Sequence, residues 1–282
     1  MKNFLVPTDF SNNAFKALVY AAGLAKHCGA TIHIVHAYEL LENALITRSS
    51  MRDAWNEKRK QEKAAALMQV HQDISERFKD QKFDKHLFTG PTEEVLLKYC
   101  ETAGIDLVIM GKHGAEGLEK VFMGSVTASL ISRSRVSILA IPEHFELKEP
   151  NSLVLATRGF ERDTNLTNPI FEIASMFDLS VQVLVFAEEN QVEAGIMRSA
   201  AQMIDYVAWL RKQYPLIRIS GSHSEGDDFE LAMREYCDKN DIGILCMLTY
   251  HRGFWDNIFN PSLTRKMAFH TKIPLLAVPV IT

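Results

Sequence analysis

Cysteine is scarce and scattered in this chain of 282 residues. Cys28, Cys100, Cys237 and Cys246 form no C-x-x-C pair, so the spacing supports neither a zinc site nor a thioredoxin-like centre, and buried thiols are expected. Long apolar runs are missing too. No stretch approaches the roughly 18 residues of a membrane-spanning helix. The opening Phe4-Leu5-Val6 stops at Pro7, short of the roughly 7–15-residue apolar core of a secretion signal. A cytoplasmic protein with no membrane partner is expected. Nor does one charge dominate: 31 Lys and Arg against 35 Asp and Glu leave a net −4, so no overall field draws the chain to nucleic acid. The phosphate-loop signature G-x4-G-K-[ST] is absent. Neither a pair of acids suited to two metals nor an activated nucleophile is visible, which argues for binding over catalysis.

What is present is an ordinary globular balance, 47% hydrophobic and 23% charged, and a repeat. Sliding the chain on itself by 137 positions places Tyr99-Cys100 on Tyr236-Cys237, Met110 on Met247, Ser125 on Ser262, and Leu139-Ala140-Ile141-Pro142 on Leu276-Ala277-Val278-Pro279. Upstream, Phe4-Leu5-Val6-Pro7-Thr8 resembles Leu153-Val154-Leu155-Ala156-Thr157 in pattern. The expected organisation is a domain over 1–143, a linker over 144–151 and a second domain over 152–282. Short apolar runs predict strands at Phe4–Val6, Thr31–His36, His86–Phe88, Leu107–Met110 and Ile138–Ile141. Between them lie helices near Ala14–His27, Met51–Phe78, Glu93–Glu101 and Val121–Ser132. The second half repeats the alternation, with strands near Leu153–Ala156, Val181–Phe186, Ile217–Ile219, Ile244–Met247 and Leu275–Val278. Its helices fall near Asn165–Phe177, Gln191–Gln213, Asp228–Lys239 and Ser262–His270. The fold class is therefore α/β: two tandem doubly wound domains, each a five-stranded parallel sheet flanked by helices.

After the fourth strand comes Met110-Gly111-Lys112-His113-Gly114, and nine residues later Gly124-Ser125-Val126 opens the last helix. In a parallel sheet such loops surround the ligand crevice. Glycine permits close backbone approach, and the N–H groups of a helix start favour anions, so a polyphosphate cradle is the natural inference. Several further segments occur in order: Val6-Pro7-Thr8-Asp9-Phe10-Ser11, His36 closing the second strand, Gly90-Pro91-x-Glu93, and Asp106 through Gly114. Together these resemble the universal stress protein family over nearly all of residues 1–142. The spacing G-x2-G-x9-G-[ST] is the motif of that family's ATP-binding branch, complete here as Gly111, Gly114, Gly124 and Ser125.

The resemblance implies strand order 3-2-1-4-5 and a site for ATP, with Mg2+ or Mn2+ carried on its phosphates; Ser125 Oγ would be an added donor to the phosphates or a ligand to that cation. Pro7, Thr8 and Asp9 would lie against adenosine, Asp9 as a hydrogen-bond acceptor that also suits capping of the first helix beside Ser11. The backbone of Ala37 would read the adenine edge. Gly111, Gly114, Gly124, Ser125 and Val126 would hold the phosphates, and Met110 would line the pocket or serve as plain core. Lys112 and His113 flank the phosphate loop, Lys112 reading as solvated. For His36, packing outweighs chemistry.

The second half fails the same test. In the 137-residue register Gly111 becomes Leu248, Gly114 becomes His251 and Gly124 becomes Pro261, and the opening motif reads Thr157-Arg158-Gly159-Phe160 without its Asp. An ATP site of this type is not expected there. The insert His251-Arg252-Gly253-Phe254-Trp255 reads as a packed loop or a contact for an anion or partner. His223, Glu225, Asp227 and Asp228 read as a loop before a helix start, not a metal site.

Three functions stay open. The first is a nucleotide-dependent stress-response or regulatory protein with an unknown protein partner and at most slow ATP hydrolysis. The second is an enzyme of the wider adenine-nucleotide group. The third is a nucleotide-free module that pairs through its last strands, Ser137–Ile141 and Leu275–Val278, as an internal pseudo-dimer or a homodimer.

Overall fold

Strands with apolar runs buried on both faces alternate with helices, and that alternation builds a parallel sheet whose crossovers cover it. The computed structural model describes residues 1–40, 49–111, 124–157, 160, 162–187, 193–225, 229–250 and 272–280. The first half runs β1 (Asn3–Pro7), α1 (Asn12–Ala25), β2 (Thr31–Tyr38), α2 (Ser49–Arg77), β3 (Phe83–Thr89), α3 (Thr92–Thr102), β4 (Leu107–Gly111), α4 (Ser125–Arg133) and β5 (Ser137–Ile141). The second runs β6 (Ser152–Thr157), α5 (Thr164–Met176), β7 (Ser180–Ala187), α6 (Glu193–Gln213), β8 (Ile219–Glu225), α7 (Phe229–Lys239), β9 (Ile244–Tyr250) and β10 (Leu275–Val280). The expected helix at Ser262–His270, the start of that at Val121–Ser132, and the insert at His251–Trp255 lie outside the described residues.

The strand order is β3-β2-β1-β4-β5-β10-β9-β6-β7-β8. Each half thus shows the order 3-2-1-4-5, and the two last strands join them. Every pairing within a half is parallel; β5 and β10 alone run antiparallel, with Leu276 opposite Leu139. One edge strand of each half, β5 and β10, is consumed in this seam, and β3 and β8 stay as the outer edges. The segment between the halves is packed: Phe145 is buried edge-on to Tyr20 with ring centres 5.7 Å apart. Lys16 Nζ donates to the Glu143 carbonyl at 2.7 Å, and Lys148 pairs with Asp241 at 2.7 Å. One apolar layer runs under α1, α2, α5 and α6 through both halves, and another lies under α3, α4 and α7.

One strand is displaced from its expected place. The sequence predicts Ile217–Ile219; the structure has β8 at Ile219–Glu225, paired with β7 from Val181↔Ile219 to Ala187↔Glu225. His223 and Glu225 therefore sit on a strand and not in a loop. An edge strand has one neighbour and tolerates Ser and His. Its inward position at Gly221 has no side chain because a Cβ there would meet Met203 Sδ at 3.0 Å and Val207 Cγ2 at 3.1 Å. Close helix approach replaces the apolar side chain that would have marked the strand.

Cys100, Cys237 and Cys246 are buried and Cys28 is half-buried. Burial pushes the Cys100 and Cys237 thiols up to about 12. Among the described residues no helix is long and apolar enough to cross a membrane, and no three of His, Cys, Asp and Glu gather around a point that could hold a metal.

Candidate functional site

The order 3-2-1-4-5 leaves β1 flanked by β2 on one side and β4 on the other, the switch point at which open parallel sheets bind ligands. β1 stops at Pro7, opposite Val35, while β2 continues to Tyr38 on the support of β3. Thr8 N donates to the Val35 carbonyl at 2.9 Å, so Val35 faces β1; Gly90 N donates to the Tyr38 carbonyl at 2.9 Å, so Tyr38 faces β3. Backbone direction alternates along a strand, and the N–H and C=O of Ala37 therefore point to the β1 side, beyond where β1 has ended. That gives a notch with one backbone donor and one acceptor on its wall, independent of the side chain at 37.

The loop closing β1 is fixed by its own polar side chains. Phe10 N donates to Thr8 Oγ1 at 3.1 Å, Ser11 N to Asp9 Oδ1 at 3.0 Å, and Ala14 N to Ser11 Oγ at 3.1 Å, the last capping α1. Asp9 thus does hold the turn beside Ser11. Phe10 is forced to φ 69, the left-handed region that a bulky residue enters only when its surroundings compel it. Its ring lies 4.2 Å from that of His36, which is what compensates the strain.

His36 is buried, and its Nδ1 lies 2.7 Å from the Thr8 carbonyl, which assigns the ring proton to Nδ1 and leaves Nε2 an acceptor. Nε2 is buried and has no hydrogen-bond partner. Burial pulls the imidazole below its ordinary value; the Thr8 bond opposes this, the Lys63 and Arg59 cations add to it, and Asp9 opposes it. The sign follows directly. As pH falls below about 6.5 the unfolded chain takes up a proton that the folded one resists, so stability present at neutral pH is lost on acidification. His36→Asn is expected to flatten the fall of the urea midpoint between pH 7.5 and pH 5.5; parallel curves for variant and wild type would remove His36 from that dependence.

On the other wall β4 ends at Gly111, opposite Ile141. A Cβ at Gly111 would lie 2.8 Å from Asn13 Nδ2 and 3.1 Å from the Asn13 carbonyl, so α1 packs directly on this residue. Thr127 Oγ1 donates to the Gly111 carbonyl at 3.1 Å, tying the first turn of α4 to the end of β4. Gly124 is the N-cap of α4 and offers no side-chain cap; Ser125 begins the helix exposed to solvent and Val126 is half-buried. The first N–H groups of α4 therefore have no capping oxygen from Gly124 and lie beside an exposed hydroxyl, a setting suited to an anion. Met110 is buried among Leu130, Ile131 and Ile138, the plain-core alternative. Gly114, Lys112 and His113 lie outside the described residues. Asn13, Thr127 and the Phe10–His36 stack are site-shaping residues that pattern reading does not pick out; the Asn and Thr look like ordinary helix residues until the packing is seen.

The second half closes the same notch. β6 and β7 stay paired one residue further, through Thr157↔Val185, and β9 runs on past Leu248 to Tyr250, paired with Val280. The described ladder of β4 and β5 ends at Gly111 and Ile141, and the ladder of β9 and β10 is described through Tyr250 and Val280. Phe186 stands in the place of Ala37 and packs edge-on to Phe229 at 5.2 Å. His223 has a buried Nε2 with no partner on β8, but Asp227 and Asp228 lie outside the described residues.

Comparison with known proteins bears on this geometry. A model of the universal stress protein family matches residues 1–142. The universal stress protein MJ0577 of Methanocaldococcus jannaschii is 26% identical over 153 residues, covering 50% of this chain and 94% of that protein. MJ0531 of the same organism is 24% identical over 140 residues, covering 50% of this chain and 81% of that one. Among solved structures, a universal stress protein from Archaeoglobus fulgidus is 15% identical with a TM-score of 0.67, covering 98% of this chain and 96% of that one; this likeness is one of fold.

Proposed function

Since the chain belongs to the universal stress protein family, we propose that its first half binds ATP and that the protein acts as a nucleotide-dependent regulator. One observation carries this reading: at the switch point β2 keeps a backbone donor and acceptor at Ala37 beyond the end of β1, and on the other side of β1 the start of α4 at Gly124-Ser125, with no side-chain cap, is tied to the end of β4. The first suits the edge of a neutral base and the second suits phosphate. In this reading Asp9, Pro7 and Thr8 border the adenosine and Gly111, Gly124, Ser125 and Val126 border the phosphates, with Gly114 assigned by the sequence spacing alone. Ser125 would then donate to a phosphate or meet a phosphate-bound Mg2+ or Mn2+, which would neutralise phosphate charge. The absence of a nucleophile or paired acids in the sequence favours a bound state over rapid turnover, with hydrolysis slow at most. The second half, with its notch paired shut, serves as the partner of the first across the seam and as a surface for other proteins.

Purified protein, denatured and analysed by mass spectrometry, is expected to release adenine nucleotide, and nucleotide-stripped protein to bind ATP at millimolar concentration or below with one site per chain. Two sites per chain, or no adenine nucleotide released and no binding in that range, would sink the reading.

A further inference from the structure

Helix α2 is longer than its seat on the sheet requires. It is described from Ser49, and the equivalent position of the second half, Val185, still lies within β7, so α6 cannot begin as early, although the strands that follow the two helices begin in equivalent registers, Phe83 opposite Ile32 and Ile219 opposite Val181. Leu67, Val70 and Ile74 of α2 reach the core, and Met203, Tyr206 and Leu210 of α6 take the equivalent positions, with Val207 beside them. Followed back toward the helix start, the same stripe in α2 passes through Lys63, Arg59, Asn56 and Arg52. These four are half-buried while the residues between them are exposed. The inward stripe of a helix is ordinarily apolar; this extension carries three cations. At about 1.5 Å per residue the segment ahead of Lys63 reaches roughly 20 Å further. Because α2 leads into β3 from the far end of the sheet, that extension stands at the carboxyl ends of the strands, beside the notch.

Its contacts lead to the same place. Lys63 Nζ lies 5.3 Å from the centre of the Phe10 ring, and that ring covers His36, whose buried Nε2 has no partner. Arg59 lies over Trp55 at 5.1 Å. Arg52 is 3.8 Å from Asp53, but among the described residues neither Arg59 nor Lys63 forms an ion pair with a carboxylate. The second half supplies an internal comparison. In the register set by β3 and β8, Arg59 becomes Gly195 and Lys63 becomes Ser199; in that of β2 and β7 His36 becomes Val185, and in that of β4 and β9 Gly111 becomes Leu248. The half that lost the glycines lost these cations and the imidazole with them.

We infer that Arg59 and Lys63 form an anion-binding wall of the first half's crevice and take a phosphate of the nucleotide bound there. His36 Nε2 beside them is the acceptor for a ligand hydroxyl. The inference rests on the nucleotide reading above and adds a second source of phosphate recognition to the helix start at Ser125.

The test compares ATP with adenosine, each measured by competition against a fluorescent ATP analogue, on wild type, on the pair R59Q/K63Q, and on the charge-keeping pair R59K/K63R. The expected result is an ATP affinity at least tenfold weaker in R59Q/K63Q, an unchanged adenosine affinity, and an R59K/K63R protein within threefold of wild type for both. Both positions are half-buried on the surface of α2 and neither belongs to the apolar core, so the variants are expected to fold, with circular dichroism and thermal midpoint as the check. An unchanged ATP affinity in R59Q/K63Q overturns the wall and leaves the nucleotide reading standing, as does an equal loss for adenosine and ATP. Failure of ATP to bind wild type overturns both.

Discussion

Ser125→Asp is expected to bind ATP at least tenfold more weakly than wild type while its thermal midpoint stays level or rises. The two effects have one physical origin. Ser125 is the exposed first residue of α4, and no acidic side chain lies in that helix's first turn. A carboxylate there interacts favourably with the positive end of the helix, worth about 0.3–1 kcal/mol, so the fold gains slightly or is unaffected. The same carboxylate occupies the position proposed for phosphate, and like charges about 4 Å apart repel by up to about 4 kcal/mol at a protein surface. Only about 1.4 kcal/mol of that is needed for a tenfold loss. Calorimetric titration with ATP and differential scanning fluorimetry measure both sides, with Ser125→Asn as the uncharged control. Undiminished ATP binding by Ser125→Asp would remove the start of α4 from the site.

The largest loss of stability is expected at the seam. Leu276 of β10 is fully buried, opposite Leu139 on β5 and Cys246 on β9. Leu276→Ala deletes apolar volume where the sheet and both halves meet, and such truncations cost about 2–5 kcal/mol. Urea unfolding is expected to show that loss. Native-state hydrogen exchange is expected to show it in β4 and β5 as well as in β9, because β10 is a neighbour of the first half's last strand. Protection lost in β9 alone would mean that the halves unfold as separate units.

Most of the fold is written in short apolar runs, and these place nine of the ten strands because strands buried on both faces need no alternation to be recognised. β8 escapes for a specific reason: at Gly221 a helix packs on bare backbone, so the inward residue is not apolar. The seam was among the arrangements that the last strands suggested, since each would otherwise be left as an edge. In the site, the glycine spacing points to Gly111 and Gly124, but not to the reason Gly111 is glycine. That reason is Asn13, 98 positions away in sequence and in contact only after folding. Phe10 is likewise invisible, because its left-handed backbone is a product of the ring it covers, and α2 reads as a polar helix until its inward stripe is traced. The loss of the second site was legible as missing glycines. That β6 also stays paired one residue further than β1 is a matter of register, which residue types do not encode.

The antiparallel join between β5 and β10 carries a geometric consequence for signalling. Strands parallel within each half must run in opposite directions on either side of it, so the notch of the first half and its closed counterpart open toward opposite poles of the molecule. No ligand of nucleotide size can bridge them. On the proposed function, a protein reading the nucleotide state at one pole and a protein docked at the other would not compete for one surface, and any message between them would have to cross the junction strand by strand.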